Sequence, residues 1–536
     1  MVILGSKVSR SRKLPHRPKS CMPDPRISIA QHYHERTKYH PETIADQDFD
    51  WTKQPAAFKE YRIGTGIDLK SYLTNKAEST AEQDEWRRLS RFLFYSYGLT
   101  VGMVTRSGEP VYFRTTPSAG ALYPAELYLV SRGTTLLPAG LYNYQAQTHS
   151  LLRFWDSEVW VPLQHACFWH SSLDCTHLAL IVTTVFMRSA WRYRDRAYRR
   201  IFLDSGHLLG NIELASALTS YRPHLIGGFI DDALNQLLYL DVEQEGAIVA
   251  IALSDRFSQP TNPTLPSYTA LPSSTQTDYP AIPDDELLRY FHHATAITEQ
   301  EDPNKKESAS SLASIAQHPS AQLQEDKYNF PFCLKVSTAT EPIDWGNDLE
   351  LLEKTIVQRR STRTYSGANL SLDELKALLD FTYQPQHYQD QQLDPTPDYF
   401  DLKLIETFIA VSGVDGLDEG CYYYAPYAQE LRQIRFKNFR RQLHRLCLGQ
   451  NLGRDAAAVL FHTADLQAAV ATYGDRVYRY LHLDAGHLGQ RLNLAAIRLG
   501  LGVSGIAGFF DDEVNEVLGI PADEAVLYIT TLGRPR

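Results

Sequence analysis

Paired cysteines are missing from this chain. Its six cysteines, at positions 21, 167, 175, 333, 421 and 447 of 536 residues, show no C-x-x-C spacing. That argues against a cysteine-based metal knuckle, and free thiols in a reducing cytoplasm fit better than a disulfide framework. Long apolar runs are missing too. The stretch Leu178–Phe186 is far shorter than the ~20 residues that span a bilayer, so it reads as a buried strand and no membrane segment is predicted. Positive charge is not in excess. Lys and Arg total 53 against 63 Asp and Glu, a net charge of −10, the wrong sign for a general nucleic-acid binder. A secretory apolar region is absent from the basic first 26 residues, where the one apolar run is Met1–Leu4; a disordered tail, or an extension upstream of Met22, is expected there. His32, His34, Glu35 and His40 lie close together, but no second ligand pair follows at a finger-like spacing, so no metal site is predicted.

What the chain does contain is a second version of itself. YRDRAYRRIFLDSGHLLGNIELASAL from Tyr193 matches YGDRVYRYLHLDAGHLGQRLNLAAIRL from Tyr473, and IGGFIDDALNQLL matches IAGFFDDEVNEVL. Tyr193 and Tyr473, Gly228 and Gly508, and Gly140 and Gly420 are each 280 positions apart. A constant offset over this length marks a tandem duplication.

The repeat divides the chain into a tail (1–26), a docking arm (27–80), a first domain (81–255), a linker (256–348) and a second domain (349–536). Helical periodicity at Trp86–Tyr97 and Leu203–Leu218 is interleaved with strand-like runs at Ala125–Val130, Leu178–Phe186 and Ala247–Leu253. The second copy repeats the order: helices at Leu372–Phe381 and Leu483–Leu499, strands at 404–411, 457–463 and Ala525–Thr531. Strands mixed with helices at this size predict an α+β or α/β layered domain, present twice. In the linker, six prolines between 260 and 283 precede a short helix at Asp284–Ala296 and a Ser-, Ala- and Gln-rich stretch, Glu299–Asp326, expected to be mobile.

Three segments carry chemistry. Arg359, Arg360, Ser361 and Arg363 place three guanidiniums and a hydroxyl where they can surround one phosphate, with Arg534 and Arg536 able to add charge. Pro117, Ser118, Ala119, Gly120 and Leu122 set small residues before a strand, where backbone can approach a flat ligand. Gly505, Ile506, Ala507 and Gly508 close a run that contains G-x-G-x-x-G from Gly500, but a helix precedes it instead of a strand, so a Rossmann site is rejected.

Together these segments resemble the SagB-type dehydrogenase branch of the FMN-dependent nitroreductase superfamily. R-R-S-x-R is similar to its phosphate segment, and P-S-A-G-x-L-Y-P-x-E-L-Y to the branch's flavin segment. Y-x-x-R-x-Y-R-x-x-x-L-D-[SA]-G-H and G-F-x-D-D-x-x-N-x-x-L are also branch-like. The resemblance implies an α+β fold, a sheet flanked by helices, paired so that FMN lies at the interface. It also implies hydride transfer at flavin N5, with NAD(P)H as a possible donor. The branch's Lys-Tyr pair is replaced by Arg192-Tyr193 and Thr472-Tyr473. Arginine stays protonated, which leaves Tyr193 or Tyr473 as candidate proton donors or acceptors.

The two copies have lost different parts. Pro397-Asp398-Tyr399-Phe400 stands where the first copy has Pro117-Ser118-Ala119-Gly120, and Ser220–Leu225 stands where the second has Gly500–Gly505. A single FMN between the halves of a monomeric pseudo-dimer is therefore expected, acting on a modified peptide or a small conjugated compound. The alternative is a non-catalytic flavin- or peptide-binding scaffold. His207 and His487 are read as packing residues, Asp231-Asp232 and Asp511-Asp512 as helix caps. Tyr193, Tyr198, Tyr473 and Tyr478 with Arg196, Arg199, Arg476 and Arg479 are read as a structural network.

Overall fold

The computed structural model describes residues 27–42, 44, 54–74, 79–104, 110–256, 269–299 and 325–536. The expected tail and most of the expected mobile stretch lie outside these residues.

Each half is built on a seven-stranded sheet in which every neighbouring pair is antiparallel. In the front half the spatial order is Thr65–Asp68, Ser150–Trp155, Gly140–Gln145, Ala125–Ser131, Leu178–Val185, Glu245–Asp255 and Tyr221–Ile226. In the rear half it is Lys335–Ser337, Glu430–Arg435, Gly420–Ala425, Glu406–Val411, Ala458–Asp465, Glu524–Gly533 and Gly502–Ile506. Central strands are buried on both faces; every residue of Ala125–Ser131 and of Glu406–Val411 is buried. That accounts for apolar runs in place of a two-residue alternation. One edge strand of each sheet comes from the segment preceding the domain, from the arm in front and from the linker behind.

The halves meet along two helices of 22 residues, Ala197–Leu218 and Val477–Arg498. Their crossing explains the Asp-[Ser/Ala]-Gly-His unit. A Cβ on Gly206 would lie 2.2 Å from the Leu483 carbonyl oxygen, and one on Gly486 2.3 Å from that of Leu203. No side chain fits at either position.

The arm is itself duplicated, with a different offset. The helix Ile29–Arg36 and the linker helix Leu287–Ala294 occupy equivalent places 258 positions apart, and Tyr33 stacks on Phe291 with ring centroids 4.4 Å apart. Arg199 donates to Thr37 Oγ1 (3.0 Å) and the His34 carbonyl (2.6 Å); Arg479 donates to Thr295 Oγ1 (2.9 Å) and the His292 carbonyl (2.7 Å). Asp475 accepts from the Ala30 amide at 3.1 Å, and Asp195 from the Leu288 amide at 2.9 Å.

These contacts correct the cap reading of the aspartates. Asp231 and Asp511 open short helices but make no side-chain cap. Asp511 accepts from Arg196 (2.8 Å) and Arg199 (2.7 Å) of the front half; Asp231 accepts from Arg476 (2.7 Å) and Arg479 (2.8 Å) of the rear half. All six side chains are buried. The two clusters exchange charges across the interface, because a carboxylate removed from water needs a fixed cation beside it.

Candidate functional site

A cleft opens where the front copy's Pro117–Gly120 faces the rear copy's arginine loop. Its first wall is fixed by Asp204 on the front long helix. Ser118 Oγ donates to Asp204 at 2.6 Å, the Ala119 amide donates at 3.1 Å, and Ser118 Oγ in turn accepts from the Tyr123 amide at 2.9 Å. Gly120 has φ +68°, and a Cβ there would lie 2.9 Å from Tyr193 Oη, so the turn requires glycine. On the second wall the Thr362 amide donates to the Val503 carbonyl (2.8 Å), and Thr362 Oγ1 accepts from the Val503 amide (3.0 Å). This lays the arginine loop on the strand Gly502–Ile506.

Ser361, Arg363, Ser504, Gly505, Ala507 and Tyr528 line the rear side; Pro117–Gly120, Arg200, Leu203, Asp204 and His207 line the front. A Cβ on Gly505 would fall 1.8 Å from Tyr528 Oη. The cavity encloses about 120 Å³, or about 560 Å³ with its open mouth included.

Three guanidiniums stand in or beside the cleft and make no salt bridge among the described residues. Arg359 is 2% exposed. It donates across the interface to the Thr115 (2.6 Å) and Arg114 (3.0 Å) carbonyls, while its Nη1 has no partner among the described residues. Burial lowers its pKa to about 10. Arg363 is exposed in the cleft and makes no ion pair among the described residues. Arg200 stacks over the Tyr193 ring at 3.6 Å, and its Nη1 is likewise buried and unpartnered. Orphaned guanidinium donors in a partly dry cleft call for an anion.

The acid–base groups sort themselves by burial. Desolvation raises the Asp204 carboxyl to about 7. It lowers His207 to about 3, so that imidazole is neutral. Gln490 Nε2 donates to Asn211, which leaves its Oε1 to accept from His207 Nδ1 at 2.9 Å; His207 Nε2 then accepts from the Tyr528 hydroxyl at 2.8 Å. Both ring nitrogens are engaged, in keeping with a packing role.

The pseudo-equivalent cleft is closed. Asp484 pins its segment as Asp204 does, accepting from the Phe400 (3.0 Å) and Asp401 (2.9 Å) amides. Phe400 stacks on Tyr480 at 4.8 Å and blocks Gly227, where a Cβ would lie 2.4 Å from its ring. Tyr399 stacks on His487 at 4.2 Å. Asp398 accepts from the Leu225 amide at 3.0 Å. The linker's Leu271 covers Gly228 and accepts from the Tyr480 hydroxyl at 2.9 Å.

Not every residue singled out in the sequence faces the open cleft. Arg360 folds back on the Val357 carbonyl at 3.3 Å. Leu122 and Ile506 are buried behind the walls, and Gly508 backs onto Arg200. Arg534 pairs with Glu374 at 2.8 Å, and neither its side chain nor that of the exposed Arg536 lines the cavity. The Ser118 hydroxyl is committed to Asp204. Tyr193 borders the open cleft, whereas Tyr473 donates to Asp401 (3.1 Å) beside the closed one. Sequence reasoning missed Asp204 and Arg200. Asp204 was visible in the repeated L-D-[SA]-G-H unit. Arg200 was visible only as a difference, since the second copy has Tyr480 there.

Comparison with known proteins agrees with this architecture. A model of the nitroreductase family matches residues 98–253 and 356–534. A crystal structure of a candidate nitroreductase from Anabaena variabilis is 66% identical and covers 95% of this chain and 100% of its own, with a TM-score of 0.88. A candidate nitroreductase of Methanocaldococcus jannaschii is 31% identical over 183 residues, 34% of this chain and 90% of that protein. The microcin B17-processing protein McbC of Escherichia coli is 27% identical over 146 residues, 24% of this chain and 49% of its own length. Among the described residues no helix is long and apolar enough to cross a membrane.

Proposed function

Because the chain belongs to the nitroreductase family, we propose that it is an FMN-dependent oxidoreductase of the SagB type, holding one flavin per chain in the open member of the two equivalent clefts. The observation that carries this reading is the asymmetry of the two clefts. One has small-residue walls and unpartnered guanidiniums; the other is filled by Phe400, Tyr399 and Leu271.

FMN, when bound, supplies reversible hydride acceptance and donation at N5. The chain's own residues do the rest. Ser361 and Arg363 bind the phosphate, and Arg359 holds the loop that carries them against the front half. Pro117–Gly120, fixed by Asp204, and the Gly505–Ala507 backbone present flat surfaces to a ring. Tyr193 holds a proton at its Oη on the cleft's edge. The arm excludes water from the far end, where Tyr39 meets Arg196 at 4.1 Å. The McbC similarity supports a modified peptide as substrate; a small conjugated compound fits the same cleft, with NAD(P)H as electron donor.

The test is anaerobic addition of NADH or NADPH to freshly purified protein. Yellow protein that bleaches, then recovers its colour with an acceptor, is the expected result. A stable, colourless protein that takes up no added FMN would favour the scaffold reading.

A further inference from the structure

Arg200 occupies a position that the duplication makes comparable with Tyr480. In the closed cleft Tyr480 uses its hydroxyl to tie down Leu271 and Gly227. In the open cleft the same position carries a guanidinium that closes nothing. Arg200 is only 7% exposed, yet its Nη1 has no partner among the described residues. It is held in place from below by the Tyr193 ring and at one side by the Tyr39 hydroxyl. Burial pushes that phenol's pKa up, but the Arg200, Arg196 and Arg199 guanidiniums outweigh it and bring it below its ordinary value.

Arg200 also lies at the end of the cleft away from the arginine loop. That loop bonds to Val503, whereas a Cβ on Gly508 would lie 3.2 Å from Arg200 Nη2. The rest of the strand Gly502–Ile506 and Ala507 lie between the two points. One anion held by Ser361 and Arg363 leaves the Arg200 donor unsatisfied, and a buried unpaired donor is costly. Asp204 already accepts from Ser118 and Ala119 and faces Arg200 as a nearby charge, without a hydrogen bond to its Nη1.

We propose that Arg200 is a specificity-determining residue that receives the carboxylate of a planar, conjugated acid, the substrate entering between the Tyr193 side and the flavin site. The planar fork of a guanidinium matches a carboxylate's two oxygens, and a planar conjugated acid can stack on the flavin ring held between Pro117–Gly120 and Gly505–Ala507. This inference rests on the flavin reading above.

The test uses the full-length protein as purified, with flavin content read by absorbance and binding read by calorimetry, so that binding is measured whether or not the protein is coloured. The probes are benzoate and its neutral counterpart benzamide. A charge-assisted pair should make benzoate at least ~10-fold tighter than benzamide; Arg200→Gln should erase that preference, and Arg200→Lys should restore part of it. Thermal midpoints and flavin content of the variants report whether they fold. Yellow protein that binds the two probes equally, or an Arg200→Gln variant that keeps the preference, overturns the proposal alone. A benzoate preference lost only because flavin is lost assigns Arg200 to the cofactor and also overturns it. Colourless protein overturns the flavin reading and this inference with it.

Discussion

Replacing Asp511 by alanine should loosen the joint that creates the cleft. The Asp511 side chain is 2% exposed and accepts from Arg196 and Arg199, whose side chains are 3% and 2% exposed, and from the Tyr39 amide at 3.0 Å. Burial alone would raise its carboxyl, but the two guanidiniums outweigh burial and hold it below the usual carboxylate range. Removing it leaves two buried cations without a counter-ion and one backbone donor without an acceptor. Breaking a buried ion pair from one side costs about 3–5 kcal/mol, and the losses here share partners, so they do not simply add. Against a typical domain stability of about 5–15 kcal/mol, that is a large fraction. The neighbouring Asp512 is the internal control. Its side chain is 61% exposed and pairs with Lys38, so Asp512→Ala should cost less than ~1 kcal/mol. Urea unfolding followed by tryptophan fluorescence separates the two. If Asp511→Ala and Asp512→Ala lose the same stability within ~0.5 kcal/mol, the reciprocal clusters do not hold the halves together as argued.

Two further outcomes follow from the paired clefts. Asp204 and Asp484 are each raised by burial to about 7 from an ordinary 3.8; the folded state keeps their protons where the unfolded chain has released them. Their contribution to stability is therefore fully present below pH ~4 and lost as pH rises through ~7, and the double variant Asp204→Asn/Asp484→Asn should show a shallower fall in urea midpoint between pH 5 and 8 than the parent. An unchanged slope would mean that these carboxyls are already ionised when folded. Phe400→Ala should cost about 3–5 kcal/mol as a large-to-small change at a packed site, yet should not create a second flavin site, because Ser220–Leu225 carries no arginine–serine loop opposite it; two flavins per chain in that variant would refute the complementary-loss argument.

The tandem layout was legible because long motifs recur at one fixed offset, and the small-residue wall and the arginine loop because each is local. A Pro-Ser-Ala-Gly run or an Arg-Ser-x-Arg run states its backbone and charge chemistry within a few residues. Partner choice was not legible. Asp231 and Asp511 precede helices, as caps do, and only tertiary packing sends their oxygens to arginines of the opposite half. The second repeat was hidden for a similar reason. Between the helices Ile29–Arg36 and Leu287–Ala294 the shared elements reduce to an aromatic ring, His34 with His292, and Thr37 with Thr295. Two of those matter through backbone carbonyls that accept from arginine, and a carbonyl leaves no trace in a sequence. Arg200 adjoins the basic, aromatic network in the sequence, and only its burial and its unpartnered Nη1 set it apart.

The most direct test is the flavin-to-chain ratio of the purified protein, measured for the parent and for Arg363→Ala. The account predicts one FMN per chain in the parent, and flavin binding weakened about 10–100-fold in the variant, as expected for losing a charge-assisted contact to phosphate. Two flavins per chain in the parent, or full retention by Arg363→Ala at the same protein concentration, would contradict it.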